Sequence, residues 1–261
     1  MNNFKNKIYY RSIVQYNGKN YSGWQSQKNE KGIQDILKKT IKKIWNIETK
    51  IEGASRTDSG VHSYGQVIKF YLFVDINPKR CEKILNEHLP EDILIKNTKY
   101  SNEQFSPRFD AKKKLYHYNF SLIKTEPLIN PYVFHYIYKI DLKKLKETLS
   151  IFIGTNDFKS FCSEPKENTI RKIYNIELIE TNFGYTISIE GDGFLKYMIR
   201  RIVGAALTAS TRNISIEKIK EIFLKKDPKN NLYKMPAKGL ILMHVFYDIN
   251  EKVDNLNFFN I

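Results

Sequence analysis

The sequence has few cysteines and no long apolar run, and each absence excludes a class of protein. Its 261 residues include two cysteines, Cys81 and Cys162, which lie far apart and fit no metal-ligand spacing. This usage is typical of a reduced, cytoplasmic protein. No apolar run reaches the roughly 18 residues of a membrane span. The starting segment MNNFKNKIYYRS also lacks the apolar stretch of a secretory signal, so we expect no membrane attachment.

Acidic residues are scarce relative to basic ones. The chain has 43 Lys and Arg against 28 Asp and Glu, a formal net charge of +15. Such an excess indicates a polyanionic partner, for example a nucleic acid. The sequence is also rich in Lys, Asn and Ile throughout, so an AT-rich genome is an alternative explanation. Aromatic residues are plentiful, with 17 Tyr and 16 Phe, and offer surfaces on which bases can stack.

The first half of the chain predicts the element order β-α-β-β-α-β. The alternating segment KIYYRSIVQYNG predicts a strand that ends in a turn. Apolar residues from Ile33 to Trp45 recur at helical spacing. The segments IETKIEG and GQVIKFYLFV predict two more strands. Asn77 followed by Pro78 predicts the start of a second helix, and DILIKNTKY predicts the closing strand.

The second half repeats this order and adds one helix. Strands are predicted for KKLYHYNFSL, IRKIYNIELIE, GYTISIEG and GLILMHVFYDI. Asp141 and Ser215 predict helix N-termini, and Gly154 predicts the end of the helix that Asp141 caps. The segment FLKYMIRRIVGAALTAS predicts a strongly apolar helix.

The doubled order is typical of the ferredoxin-like split βαβ pattern. We therefore predict an α+β fold with two ferredoxin-like (β-α-β-β-α-β) halves, joined antiparallel sheets and a central cleft. The N-terminal half is expected to span residues 1–104 and the C-terminal half residues 105–261. Many RNA-binding domains use such a sheet, but the fold alone does not establish a function.

The glycine-rich segment GASRTDSGVHSYGQV (53–67) raises the question of what Asp58 does. It is predicted to be a hairpin loop, and loops on a rigid sheet often carry reactive groups. Asp58 and Ser59 could equally form a turn ahead of Gly60. His62 could pair with Asp58 for acid–base chemistry or be structural. A metal site lacks further ligands nearby, and neither a phosphate-cradling motif nor a close carboxylate pair is evident.

Two segments of the second half offer further candidates. Tyr116 and Tyr118 share one face of a predicted strand, where they could stack on a base or pack in the core. Arg200 and Arg201 interrupt the apolar helix of GDGFLKYMIRRIVG. One of them can lie on the solvent side while the other faces a carboxylate and keeps it ionised. The spacing leaves open which arginine does so.

Seven segments, taken in order, resemble the tRNA pseudouridine synthase A family. They are YNGKNYSGWQSQ (16–27), SRTDSGVHSYGQVIKF (55–70), LPEDI (89–93), FSPRFDAKKKLYHY (105–118), GTNDFKSF (154–161), GDGFLKYMIRRIVG (191–204) and MPAKGLILMHVFY (235–247). The resemblance covers roughly residues 8–247, and its RTD-x-GVH segment is highly specific.

The resemblance implies an isomerase that converts uridine in RNA to pseudouridine without a cofactor or a metal. The family works as a homodimer on the anticodon stem-loop of tRNA, at positions 38, 39 and 40. Asp58 matches its catalytic aspartate, and Arg56 matches the adjacent arginine that helps to displace the target base. Tyr116 matches the tyrosine that stacks on the target uracil. Arg200 matches the helix arginine that pairs with the catalytic carboxylate.

This chain departs from the family pattern at a few positions, none of which is a matched site residue. Ser55 and Ser59 stand where the family usually has Gly and Ala, Asn17 replaces a common Asp, and Tyr21 replaces a Phe. A synthase of the same type that acts on a different tRNA or rRNA site is therefore an alternative. Two other classes are considered as well: a non-catalytic RNA-binding protein on the same sheet, and a metal-dependent nuclease that uses Asp58 and His62.

Overall fold

The computed structural model describes residues 6–27, 30–163, 167–211, 214–230 and 232–253. These residues divide into two compact units. The first unit contains the chain up to Lys112 together with the chain from Leu242 onward, and the second contains Lys113–Ile241. Each unit combines helices with an antiparallel sheet, which confirms the predicted α+β class.

The first unit has the predicted ferredoxin-like element order. Its elements are β1 (Ile8–Tyr16), α1 (Ile33–Trp45), β2 (Glu52–Gly53), β3 (His62–Leu72), α2 (Pro78–His88) and β4 (Ile93–Ser101). β1 lies between β3 and β4 and runs antiparallel to both, and β2 pairs antiparallel with β3. The loop between β2 and β3, which carries Asp58, therefore lies beside the turn that follows β1.

The second unit repeats this order with additions. Its elements are β5 (Lys113–Ser121), β6 (Phe134–His135), α3 (Leu142–Ser150), β7 (Gly154–Asp157), β8 (Ile170–Thr181), β9 (Gly184–Gly191), α4 (Met198–Thr211) and α5 (Ile216–Lys225). The sheet order is β5–β9–β8–β7, with every neighbouring pair antiparallel, and the short β6 runs parallel to β5. The final strand, β10 (Leu240–Phe246), passes from the second unit into the first. The alternation pattern did not predict β6 or β7.

Three helices begin where the sequence predicts. The side chains of Asn77, Asp141 and Ser215 each accept a hydrogen bond from a backbone N–H in the first turn of the helix that follows. Such caps satisfy donors that have no partner within the helix, and each contributes about 1 kcal/mol. Local chemistry therefore fixes these helix starts, whatever the helices later pack against.

Each unit buries an apolar core. In the first unit the core includes Tyr10, Trp24, Leu37 and Phe70, all almost fully buried. In the second unit α4 is buried on nearly all sides, as expected for a helix that is apolar all round. No helix among the described residues is long and apolar enough to cross a membrane.

The predicted strand IETKIEG is reduced to β2, two residues long. The reason lies at Thr49, whose hydroxyl donates to the Tyr71 carbonyl (2.8 Å) and accepts from the Tyr71 N–H (3.2 Å). A side chain thus takes the place of a backbone partner beside β3. Residue alternation cannot distinguish this arrangement from a longer strand.

Two predicted helix boundaries are wrong. The helix predicted from Phe194 begins only at Met198, because Tyr197 has φ +66°, which is incompatible with a right-handed helix. The helix capped by Asp141 ends at Ser150 and not at Gly154. Gly154, with φ +103°, instead opens β7.

Candidate active site

Asp58 occupies the first position of a tight turn in the loop between β2 and β3. The Val61 N–H donates to the Asp58 carbonyl across the turn (3.1 Å), and Gly60 has φ +77°. A positive φ at the third position is the signature of a type II turn, and it favours glycine. Asp58 is half-buried, whereas Arg56 is exposed. The carboxylate is therefore attached to a well-defined backbone conformation.

The segment that follows β1 binds this turn on both sides of Asp58. Before it, the Thr57 carbonyl accepts a hydrogen bond from Trp24 N–H (3.1 Å). After it, the Gly60 N–H donates to the Tyr21 carbonyl (3.2 Å). Backbone groups of one loop thus hold the other, so the turn does not depend on its own hydrogen bond alone.

Two glycines of the same segment leave room for the Asp58 loop. A Cβ at Gly18 would lie 2.0 Å from the Val61 carbonyl oxygen. A Cβ at Gly23 would lie 2.5 Å from the Thr57 carbonyl oxygen, and Gly23 has φ +94°. Neither position accepts a side chain unless the loop moves. This close approach explains both glycines of YNGKNYSGW.

Asp92, from the LPEDI segment, holds the loop that supports the turn. Its backbone carbonyl accepts from Asn17 N–H (2.9 Å), and its carboxylate accepts from the Tyr21 hydroxyl. Burial, together with this hydrogen bond, raises the pKa of Tyr21, so the hydroxyl stays protonated and remains a donor. Asp92 thereby fixes the residue whose carbonyl binds the Asp58 turn.

Two buried side chains hold the start of the loop. The Thr57 hydroxyl shares a hydrogen bond of 2.7 Å with the Tyr16 hydroxyl. The Gln66 amide binds both backbone groups of Ser55: its oxygen accepts from the Ser55 N–H (3.0 Å) and its nitrogen donates to the Ser55 carbonyl (2.6 Å). Thr57 and Gln66 are buried, so water competes little for these bonds.

His62 is buried and acts as a hydrogen-bond acceptor. Its Nδ1 accepts from the Gly18 N–H (3.1 Å), and its side chain is 1% exposed. An amide N–H can only donate, so Nδ1 carries no proton and the ring is the neutral Nε2–H tautomer. His62 therefore fixes the glycine that packs against the Asp58 loop. Among the described residues, no group of three His, Cys, Asp or Glu side chains could hold a metal ion.

Tyr116 lies on β5 of the second unit with its ring mostly buried. It is 5% exposed, and its ring meets Phe194 edge to face, with centroids 5.3 Å apart. Tyr118, on the same strand face, is fully buried and donates to the Pro236 carbonyl (3.0 Å). Burial raises the pKa of Tyr118 well above its usual range. Tyr118 is thus a core residue, and Tyr116 lies beside the segment that precedes α4.

The structure distinguishes the two adjacent arginines of α4. Arg201 Nη1 donates to the carbonyls of Cys162 (2.8 Å) and Pro228 (3.1 Å), so this side chain is structural and does not lie free on the solvent side. Arg200 is 7% exposed, and its Nε donates to the Met235 carbonyl (2.6 Å). The MPAKG segment, which includes Met235, therefore binds the arginine that the sequence motif singled out.

The four predicted site residues fall into two groups. Arg56 and Asp58 share one loop of the first unit, while Tyr116 and Arg200 lie on β5 and α4 of the second unit. Sequence reasoning missed the residues that hold the Asp58 loop. For Gln66 a signal was available, because it is a polar residue at the start of the apolar run VIKFYLFV.

Comparison with known proteins gives consistent matches. The model of the tRNA pseudouridine synthase family matches residues 13–110 and 149–248. "tRNA pseudouridine synthase A 1" of Protochlamydia amoebophila is 35% identical over 246 residues, which cover 92% of this chain and 96% of the relative. "tRNA pseudouridine synthase A" of Thermoanaerobacter sp. (strain X514) is 35% identical, with 90% and 98% covered. The protein of that name in Chlamydia muridarum is 37% identical, with 90% of each chain covered.

Proposed function

Because the chain belongs to the tRNA pseudouridine synthase family, we propose that it forms pseudouridine at positions 38, 39 and 40 in the anticodon stem-loop of tRNAs. The enzyme is an isomerase of the pseudouridine synthase type. In this proposal Asp58 is the catalytic carboxylate. The half spanning residues 1–104 supplies Asp58, and the half spanning residues 105–261 supplies Tyr116 and Arg200.

The observation that carries the proposal is the way in which the first unit holds Asp58. Backbone hydrogen bonds to Trp24 and Tyr21 flank the carboxylate, and buried Thr57 and Gln66 hold the start of the loop. A turn that only connected two strands would not need these contacts. A catalytic group does, because it must stay within about 0.5 Å of its productive position.

A single held carboxylate suits the isomerisation of uridine. The bond between uracil N1 and ribose C1′ breaks, the base turns, and a bond forms between C1′ and C5, while C5 loses a proton to water and N1 takes one up. A carboxylate can attack C1′ or the base as a nucleophile. One aspartate suffices, because uracil is both the leaving group and the returning nucleophile, and the proposed reaction uses no cofactor or metal. Water must be kept out, since its attack at C1′ would give hydrolysis.

The other predicted residues handle the base and the carboxylate. Taking the target uridine out of the stack costs about a few kcal/mol, and stacking on Tyr116 would return about 1–3 kcal/mol. The edge-to-face contact with Phe194 holds that ring. We assign the exposed Arg56 to displacing the base, and Arg200 to pairing with the catalytic carboxylate.

The proposal extends to the setting of the reaction. The net charge of +15 supports tRNA as the partner, because lysines and arginines bind phosphates. We propose that the protein acts in the cytoplasm as a homodimer, without membrane attachment. A synthase of the same type acting on a different tRNA or rRNA site is the alternative. Mapping pseudouridines in RNA from cells with and without the protein decides between the two.

Release of tritium from tRNA carrying 5-³H-uridine tests the role of Asp58. The wild type should release tritium, because C5 loses its hydrogen when it bonds to C1′. Asp58→Asn should release none while still binding tRNA, because the amide is a poor nucleophile. Asp75→Asn is the matched control, since Asp75 is an exposed carboxylate of the same unit that accepts from Tyr100.

Two results would contradict the proposal. Activity retained in Asp58→Asn would exclude Asp58 as the catalytic group. Binding of tRNA by the wild type without any release of tritium would indicate a non-catalytic RNA-binding protein. A metal-dependent nuclease would cut the RNA and lose that activity with a chelator, which gel electrophoresis of the tRNA after incubation, with and without chelator, detects.

A further inference from the structure

Tyr197 has a backbone conformation that its residue type disfavours. The Met198 N–H donates to the Leu195 carbonyl (3.1 Å), which closes a turn just before α4. Tyr197 is the third residue of this turn and has φ +66°. Gly60 holds the same position in the Asp58 turn, with φ +77°. Both turns have a hydrogen bond between the first and fourth residues and a positive φ at the third, but only one of them has glycine, the residue that a positive φ favours, at that position.

The other non-glycine residues with positive φ in the described chain differ from Tyr197. Asn46 and Lys226 are C-caps at the ends of α1 and α5, where this conformation is common. Asn97 is an asparagine, which tolerates the left-handed region. Tyr197 is the bulky aromatic among them, and strain of this kind persists where the surroundings impose it, often at functional sites.

The ring of Tyr197 contacts the cation predicted to serve catalysis. The Arg200 guanidinium lies over this ring, 5.3 Å from its centroid, and Lys234 Nζ lies over it at 3.9 Å. An aromatic face attracts both cations through its quadrupole.

The Met235 segment restrains the same arginine from a second direction. Arg200 Nε donates to the Met235 carbonyl (2.6 Å), and the Met235 N–H donates to the Arg200 carbonyl (3.1 Å). The Nε bond fixes one point of the guanidinium, and the contact with the Tyr197 ring limits rotation about it. Together they define the plane in which the remaining N–H groups lie.

We propose that Tyr197 is a positioning residue, whose ring holds the Arg200 guanidinium in the orientation that isomerisation requires. This inference rests on the proposed function of Arg200. The strained conformation brings the ring to the guanidinium, and glycine at this position would relieve the strain but lose the contact. If only the backbone conformation mattered, glycine would be favoured at this position. The tyrosine therefore indicates that the ring has a role.

The test compares three substitutions that separate the ring from the backbone. Tyr197→Phe keeps the ring face, Tyr197→Leu removes the ring but keeps a side chain, and Tyr197→Gly removes the ring and the strain. Initial rates of tritium release from 5-³H-uridine tRNA give kcat and KM, and thermal unfolding gives Tm. Asn97→Gly is the matched control, because it relieves a positive φ on β4 of the first unit.

The proposal predicts a fall in kcat without a loss of stability. Tyr197→Gly should lower kcat about ten- to a hundredfold, because a misplaced charged group costs this much. Its KM should change little, and its Tm should equal or exceed that of the wild type. Tyr197→Leu should lower kcat similarly. Tyr197→Phe should stay within about twofold of the wild type, and Asn97→Gly should leave kcat unchanged.

Three results would overturn the inference. The first is a kcat of Tyr197→Gly equal to that of the wild type. The second is a kcat of Tyr197→Phe as low as that of Tyr197→Gly. The third is a fall in the Tm of Tyr197→Gly together with its kcat. The last result would make Tyr197 a structural residue. A wild-type enzyme that releases no tritium would contradict the proposed function itself, which separates that failure from these three.

Discussion

Gln66 shows how one side chain can determine the position of a reactive group, here Asp58, eight residues away in the chain. Its amide binds the N–H and the carbonyl of Ser55, as a partner strand would. A buried amide that satisfies two backbone groups is costly to replace, because both lose their partner at once. Three residues after Ser55 comes Asp58, so this bond acts on the carboxylate through the backbone.

We therefore predict that Gln66→Leu lowers both stability and activity. Two unpaired backbone groups should reduce the free energy of unfolding by about 1–3 kcal/mol, which urea unfolding measures. The kcat for tritium release should also fall, because the start of the Asp58 loop is no longer held.

Gln15→Leu is the control for this prediction. The Gln15 side chain donates a hydrogen bond to the Tyr64 carbonyl (3.1 Å) in an exposed setting, so the loss of this bond should change the free energy of unfolding by less than about 0.5 kcal/mol. Equal losses in the two variants would show that the Ser55 contact has no special role.

At the scale of elements, β5 is buried on both faces along Tyr116–Ser121. Alternation places Tyr116 and Tyr118 on one face and His117 on the other, yet His117 is also buried. Burial lowers the pKa of His117 to about 4, from 6.5 for an exposed imidazole. The strand therefore contains a histidine that stays neutral at physiological pH.

This burial predicts a dependence of stability on pH. Between pH 6.5 and pH 4 the unfolded chain binds a proton at His117 and the folded chain does not, so acid favours unfolding. The contribution of neutral His117 to the free energy of unfolding should be complete above pH 6.5 and should decline by about 3 kcal/mol as the pH falls to 4. Urea unfolding across this range measures it. His117→Phe should show a shallower decline, and an identical decline would contradict the prediction.

The sequence predicts elements where local chemistry determines them. Asn77, Asp141 and Ser215 cap helices in place, because a cap needs only its own first turn. Prediction from the sequence fails where a residue distant in the chain changes the local structure. Thr49 replaces a ladder partner of Tyr71, and no local pattern shows this. Tyr197 has a positive φ, which its residue type disfavours, and α4 therefore begins after it. Helix propensity cannot predict such a start.

The candidate site follows the same division. The family motifs identified Asp58 and Arg200 as candidates. The structure adds why Gly18 and Gly23 are glycines: a side chain at either position would clash with the Asp58 loop. Composition alone left Asp58 open between a turn residue and a reactive group, and the structure shows it in a turn. The supporting contacts involve residues far apart in the chain, so a single sequence could not reveal them.

At the scale of the whole molecule, the charge of +15 predicts binding that depends steeply on salt. Each phosphate that a lysine or arginine neutralises releases a counterion, so affinity falls as salt rises. The Kd for tRNA should increase by at least about tenfold between 50 and 200 mM salt, as measured by filter binding. Asp58→Asn should show the same slope. A Kd that does not change with salt would show that the net positive charge does not contribute to tRNA binding and reflects only the amino-acid composition.

The contacts that shape the Asp58 turn also imply an order of events during folding. Three of them join residues 38 to 44 positions apart in the chain: Ser59 with Tyr21, Thr57 with Tyr16, and His62 with Gly18. Closing such loops is slow compared with forming a helix. In a chain that has formed α1 but has not yet paired β1 with β3, the contacts that position the Asp58 carboxylate are absent. We therefore expect catalytic competence to emerge late, with the closing of the first unit.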